Sequence, residues 1–399
     1  MVFSPNEQNQ GPGPVIASDD DLNTTKSQKK SHKKEAQNKQ TLFRGKTFWV
    51  EPSWPKSNLE YNLVVMLPFQ FQDPTPRLER IKNIMLEYWE GVELAIEALN
   101  GQGYNLNVHV FDTQNSPKEV EQILKKDVVK LADLIIGPVF ADEVAPVELF
   151  CSVYDIPLVN PLRQYQAKLN TSVQIFNPVL VDSNVHYFAA LELIKRMPNA
   201  QFVLFNDLTQ DGFSVRKMIR KAFEQQNRTL KTVETQEQLA QMVNSNSNEM
   251  VVIAPTKSEN LSRQVVSQCA KKSHVTVVGL EDWFDFSMVP FQIWEQANLM
   301  FYNQFFVNQN DSVVQQFNEK YADKFLGVPA RYSYLGYDHT LFFAEALMAF
   351  GPRMGSFFEG HNFKLKHNNF KFIRERDKVF VNSCVNLLKL VDFELIKSN

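Results

Sequence analysis

Cysteine is scarce in this chain: Cys151, Cys269 and Cys384 are the only three in 399 residues. They are odd in number and far apart, with no CxxC and no metal-ligand spacing, so neither a disulfide framework nor a thiolate metal site is expected. Cys151 lies in the apolar helical stretch VELFCSVY and reads as a buried thiol rather than a nucleophile. The redox compartment stays open, because a large exported domain needs no disulfide. Long apolar runs are also missing, and none approaches the roughly 20 residues of a membrane helix. The opening MVFSPNEQNQGPGP carries no apolar h-region, which leaves a cytoplasmic protein or a chain without its natural start. A formal net charge of −3 excludes a strong bias toward nucleic acid or an anionic membrane.

Catalytic motifs are equally few. There is no GxxxxGK[ST], HExxH or GxSxG, and no GxGxxG follows the first strand. The seven histidines are scattered; His109 alternates with apolar neighbours, and His339 begins an apolar helix beside Asp338. Glu281, Asp282 and Asp285 cluster at a strand end, yet nothing else supports carboxylate-pair hydrolysis. The chain therefore reads as a non-enzymatic binder that needs no cofactor and no metal.

What is present is ordinary globular material, 44% hydrophobic and 22% charged, enough for two domains with sizeable cores. The 32 phenylalanines read as core filler. Residues 1–57 contain Gly-Pro-Gly-Pro, three consecutive aspartates and a Lys-rich run from Lys26 to Lys39. A disordered polar and basic tail or linker is expected there.

From Tyr61 onward strand and helix patterns alternate. YNLVVMLPF, LNVHVFD, DLIIGP and IPLVNP read as short buried strands, separated by helical periodicity in YWEGVELAIEALNGQG, SPKEVEQILKK and APVELFCSVY. Ser116, Pro117 and Glu119 form a cap, a first-turn proline and an acidic third position. The unit repeats through helix 184–197, strand QFVLFND, helix 214–226, EMVVIAP, helix 259–271 and HVTVVGLED. These are too many strands for one comfortable sheet, so an α/β fold of two doubly wound parallel-sheet lobes is expected. The C-terminal stretches FKLKHNNFKFIRERDKVFVN and VNLLKLVDFELIK alternate and read as antiparallel strands.

In open parallel sheets, ligands sit outside the carboxyl ends of the strands. The candidate loops are Phe69-Gln70, Phe140 to Glu143 with Ala141 between, Asn160 to Arg163, Asn206-Asp207, Thr256-Lys257 and Glu281-Asp282.

The order of EGVELAIEALN, VFDTQNSP, IIGPVFADEVAP, DIPLVNP, FNDLTQDG, VVGLEDWFD, VVQQFNEKYADKF and GYDHTLFFAEALMAFG resembles the type I periplasmic binding protein fold. The resembling branch is that of leucine/isoleucine/valine-binding and related solute-binding proteins, and the likeness runs from about Leu63 to Lys397. It implies two lobes joined by three crossovers that close on a small ligand. Their limits would be about 58–180 plus 300–350, and 181–299 plus 351–399. It further implies an ABC permease as partner, a periplasmic or envelope location, and a ligand carboxylate held after Gly137-Pro138 and after Asn160-Pro161. Glu281 would receive the ligand ammonium.

The chain departs from that pattern at Phe140, Ala141, Leu162 and Arg163, where small hydroxyl residues are usual. Asp142 and Glu143 favour the start of their own helix and would repel an anion there. Arg163 either restores an anion site or pairs with Asp142. Two readings follow: a solute-binding protein whose ligand is not a simple α-amino acid, or a cell-envelope protein-binding scaffold similar to the lipoproteins that activate peptidoglycan synthases.

Overall fold

The computed structural model describes residues 39–50, 60–70, 75–162, 173–210, 212–245, 247–286, 291–392 and 394–398. Its strands fall into two seven-stranded sheets and two short hairpins. Glu60–Leu67 is the hub of the first sheet, pairing in parallel with Asn105–Asp112 on one side and Leu134–Ile136 on the other. Leu158–Val159, Ile175–Asn177 and Val379–Asn382 continue in parallel, and Phe372–Arg376 closes the sheet antiparallel. The second sheet runs in parallel from Leu230–Val233 through Gln201–Phe205, Met250–Ile253, Val275–Val278 and Leu299–Asn303. Asn386–Val391 and Glu394–Lys397 finish it antiparallel. Strands such as Met250–Ile253 and Val275–Val278 are buried at every position, which explains continuous apolar runs rather than alternation.

Helices cover both faces of the first sheet for the reason their caps and stripes foretell. Ser116 accepts the Glu119 N–H at 3.3 Å and opens Pro117–Leu124. Val120 and Ile123 of that helix reach the core beneath Ala141–Tyr154. On the opposite face, Pro76–Gly101 lies against Arg331–Phe350, and together they bury Tyr88, Val92, Leu335 and Leu347.

The lobe limits need correction after residue 300. Leu299–Asn303 completes the second sheet, whereas Phe363, Phe370, Phe372 and Phe380 pack in the first lobe's core. The segment 354–382 therefore belongs with the first lobe, and only residues from Asn386 onward rejoin the second. Strand periodicity marks a strand but carries no record of the sheet it joins. Here a phenylalanine cluster decides: Phe176 stacks on Phe380 at 5.2 Å, and Phe342 meets Phe370 edge-on at 5.0 Å.

A second correction falls within the expected tail. Lys39–Phe43 and Lys46–Val50 form a hairpin that buries Phe43, Phe48 and Val50 against Arg331–Phe350. Its two turn residues, Arg44 and Gly45, both have positive φ (46° and 74°), the backbone a tight two-residue hairpin requires. Arg44 pairs with Glu345 at 2.8 Å and lies over Phe342, so a cation and two aromatics anchor what composition presents as a polar run. The rest of the expected tail, residues 1–38 and 51–57, lies outside the described residues.

Three passages join the lobes, after Asn177, after Asn303 and at Ser383–Val385. They are hydrogen-bonded to one another. Leu180 N–H donates to Gln304 Oε1 at 2.8 Å, and Gln304 Nε2 returns a bond to the Leu180 carbonyl at 3.2 Å. Asn382 Nδ2 donates to the Pro178 carbonyl at 3.1 Å.

Candidate functional site

A cavity of about 420 Å³ opens where the second sheet's strands end. Val275–Val278 stops at Gly279, and the chain turns into the short 3-10 helix Glu281–Asp285, which leaves Glu281 and Asp282 exposed at the rim. Leu299–Asn303 ends beside it, so Asn303 Nδ2 donates to Glu281 Oε1 at 3.1 Å. Lys257, following strand Met250–Ile253, pairs with Asp282 at 3.0 Å. Asp182, Ser183 and His186 come from the first turns of Asp182–Arg196, and Ser214 from the start of Phe213–Gln225. Phe305 and Arg331 complete the lining, with the Arg331 guanidinium 5.3 Å above the Phe305 ring.

The charges divide usefully. Lys257 is committed to Asp282, whereas among the described residues no salt bridge joins Asp182, Glu281 or Arg331. Among the described residues, Asp182, Glu281 and the Arg331 guanidinium therefore line the cavity without an ion-pair partner. His186 Nδ1 and the Tyr302 hydroxyl share a hydrogen bond of 2.9 Å. Burial pushes the His186 pKa down to about 4 and the Tyr302 pKa up, so both are neutral at pH 7. Among the described residues no group of three or more His, Cys, Asp or Glu could hold a metal ion. No described helix is long and apolar enough to cross a membrane.

Of the residues expected from sequence, the structure brings Glu281 and Asp282 into this cavity together with Lys257. Asn206 and Asp207 do not line it. Asn206 Nδ2 donates to Glu234 Oε1 at 3.0 Å, and Asp207 is locked in a buried ion pair with Arg216. The first-lobe candidates also lie elsewhere. Phe69 and Gln70 donate their backbone N–H groups to Asp112 Oδ1, at 2.9 and 3.4 Å. Ala141 is exposed at a helix start, and Asn160 is buried with its N–H on the Phe176 carbonyl. Arg163 lies outside the described residues. His186, Tyr302 and Arg331 escape sequence reading because each sits inside a helix or strand pattern that packing explains equally well.

At the junction after Gly137-Pro138, Glu143 turns back on its own helix. The Phe140 N–H donates to Glu143 Oε2 at 3.4 Å, closing the first turn of Ala141–Tyr154. Gly137, at φ 91°, has no room for a side chain, since a Cβ there would sit 2.0 Å from the Met66 carbonyl oxygen. Burial pushes the Glu143 carboxyl from 4.5 up to about 7. A pKa raised on folding gives stability that is complete below the unfolded value and lost as pH rises through the folded one. Stability should therefore fall from this group by on the order of 3 kcal/mol between pH 4.5 and pH 7. Denaturant midpoints of wild type and Glu143→Gln across that window check it. Equal slopes in the two proteins would refute the assignment.

Two sheet-and-helix lobes, joined by three bonded passages and carrying a polar cavity at a strand-end rim, define a two-lobed binding protein. The periplasmic binding protein family model matches residues 81–374, and the chain belongs to that family. None of the curated proteins compared with it matches. Among solved structures, a putative branched-chain amino acid ABC transporter protein from Rhodospirillum rubrum is 12% identical, with a TM-score of 0.57 over 85% of this chain and 100% of its own. The LpoA C-domain from Haemophilus influenzae, a regulator of PBP1A, is 12% identical at TM-score 0.54, over 85% of this chain and 100% of its own. Full-length LpoA from the same organism is 10% identical at 0.55, over 87% of this chain and 60% of its own. At these identities the likeness is one of fold.

Proposed function

We propose that this protein is a non-enzymatic, extracytoplasmic solute-binding protein whose cleft takes a small polar ligand carrying an ammonium group. The ammonium would rest on Glu281, oriented by Asn303, with Asp182 lining the same cavity and Arg331 available to an electronegative group. The observation that carries the reading is the cavity itself, whose acidic groups Asp182 and Glu281 have no ion-pair partner among the described residues. A simple α-amino acid fits poorly, because at the turn after Gly137-Pro138, where its carboxylate would be held, the Phe140 N–H is already bonded to Glu143. An ABC permease as partner and a periplasmic or envelope location belong to the same reading, supported by membership of the periplasmic binding protein family.

A thermal-shift screen of cationic and zwitterionic metabolites, followed by calorimetry on the hits, tests this. Glu281→Gln should weaken the best hit by at least about tenfold, since a hydrogen bond to a charged group contributes about 1.5–3 kcal/mol. Unchanged affinity removes Glu281 from the site. The scaffold reading rests on the same engaged helix start after Gly137-Pro138, and a flat screen with an intact fold would favour it.

A further inference from the structure

A second polar cavity, of about 360 Å³, lies beside the passage Ser383–Val385. Both lobes build it. The second lobe supplies the C-terminal end of Asp182–Arg196 and the end strand Glu394–Lys397, and the first lobe supplies Asn362, Asn369 and Lys371. Among the described residues four cations line it, Lys195, Arg196, Lys371 and Lys397, against one carboxylate, Glu192. Glu192 is already taken by Arg196 at 2.7 Å. Among the described residues no salt bridge joins Lys195, Lys371 or Lys397. This local excess is opposite in sign to the chain's net charge of −3.

Lys195, Arg196 and Lys371 are exposed to solvent, and Lys397 is partly buried. Burial lowers the Lys397 pKa, Cys384 and Asp338 oppose the shift, and the nearby Lys364 adds to it. A multivalent anion in the cavity would attract all of these cations at once. The amides of Asn362 and Asn369 add neutral hydrogen-bonding groups around the same space, while the Ser383 hydroxyl donates to the Lys371 carbonyl at 2.8 Å.

We infer that this cavity is a binding site for a small multivalent anion of the phosphate class, distinct from the strand-end cleft. Phosphate oxygens accept several charge-assisted hydrogen bonds at once, which suits cations arriving from separate elements. The site stands whatever the cleft binds. Because its wall includes a passage between the lobes, an occupant would bridge Lys371 of one lobe to Lys195 and Lys397 of the other. The anion is free phosphate or a phosphomonoester, or the headgroup of an anionic phospholipid.

Cys384 lines this cavity and is partly exposed, whereas Cys151 and Cys269 are buried, so it serves as the reporter. The experiment is maleimide alkylation of the native full chain, followed by mass spectrometry. It is run with inorganic phosphate at ionic strength fixed by sodium chloride, and with phosphatidylcholine vesicles with or without phosphatidic acid. Only the unoccupied fraction reacts, so alkylation should slow about tenfold at phosphate ten times its dissociation constant. Protection by phosphatidic acid vesicles alone would assign the headgroup source. Protection should vanish in Lys371→Gln/Lys397→Gln, and in Lys195→Gln/Lys371→Gln if the first pair disturbs the fold. A rate unmoved by both ligands, protection matched by chloride, or protection surviving the substitutions would overturn the site.

Discussion

Gly336→Ala should destabilise the protein by about 3 kcal/mol or more, at or beyond the upper end of ordinary overpacking. Gly336 sits in Arg331–Phe350 where that helix crosses Pro76–Gly101, and a Cβ there would lie 2.0 Å from the Tyr88 carbonyl oxygen. The contact is reciprocal, because a Cβ on Gly91 would lie 1.9 Å from the Ser333 carbonyl oxygen. Both obstacles are backbone, which has no rotamer to yield. The helices must separate, and the buried Tyr88, Val92, Leu335 and Leu347 lose close packing together. Gly101→Ala is the control, since nothing lies within 4 Å of a Cβ at that helix end. It should be neutral or stabilising by up to about 1 kcal/mol. Urea midpoints for the two variants decide the matter, and a Gly336→Ala midpoint equal to wild type would refute the crossing.

Asp338→Ala should cost about 3–5 kcal/mol, the range for removing one partner of a buried, hydrogen-bonded charge. Asp338 is 2% exposed and accepts three bonds from the turn between Phe363–Lys364 and Asn369–Phe370. The donors are His367 N–H at 3.1 Å, Asn368 N–H at 3.0 Å and His367 Nδ1 at 3.0 Å. Truncation leaves all three facing a space with no acceptor. Asp338→Asn keeps the volume and one acceptor oxygen, so it should lose less than the alanine variant. The effect should reach the passage between lobes, because Asn368 Nδ2 donates to the Gln304 carbonyl at 3.1 Å. Faster amide exchange at Gln304 and Leu180 in the variant is the expected mark. Alanine and asparagine variants of equal, wild-type stability would show that the turn is held by its phenylalanines alone.

Much of the fold was legible because its causes are local. Buried parallel strands appear as apolar runs, and Ser116 announces a helix start that the structure shows in one bond, from the Glu119 N–H to Ser116 Oγ. Glu143 likewise declares its role three residues after Phe140. The hairpin at 39–50 was not legible, since its five-residue strands adjoin a Lys-rich run and its turn is Arg-Gly rather than Asn-Gly. Its order comes from Glu345, Phe342 and Phe350, some 300 residues away in sequence.

For the candidate site the division is sharper. Strand-end position alone pointed to Glu281 and Asp282, while Phe69, Gln70, Asn206 and Asp207 had the same position and proved to be engaged locally. Strand ends are equivalent until it is known which carboxylates and amides face them. By itself the sequence determined the alternation of strands and helices, the caps and the two-lobed α/β class, because periodicity and capping act within a few residues. Tertiary structure decided which sheet the C-terminal strands join, and which of the strand-end loops line one cavity. It also placed four cations around the passage at Ser383–Val385. Those outcomes depend on pairings between residues far apart in the chain, whose energies arise only once the two lobes have closed around their cores.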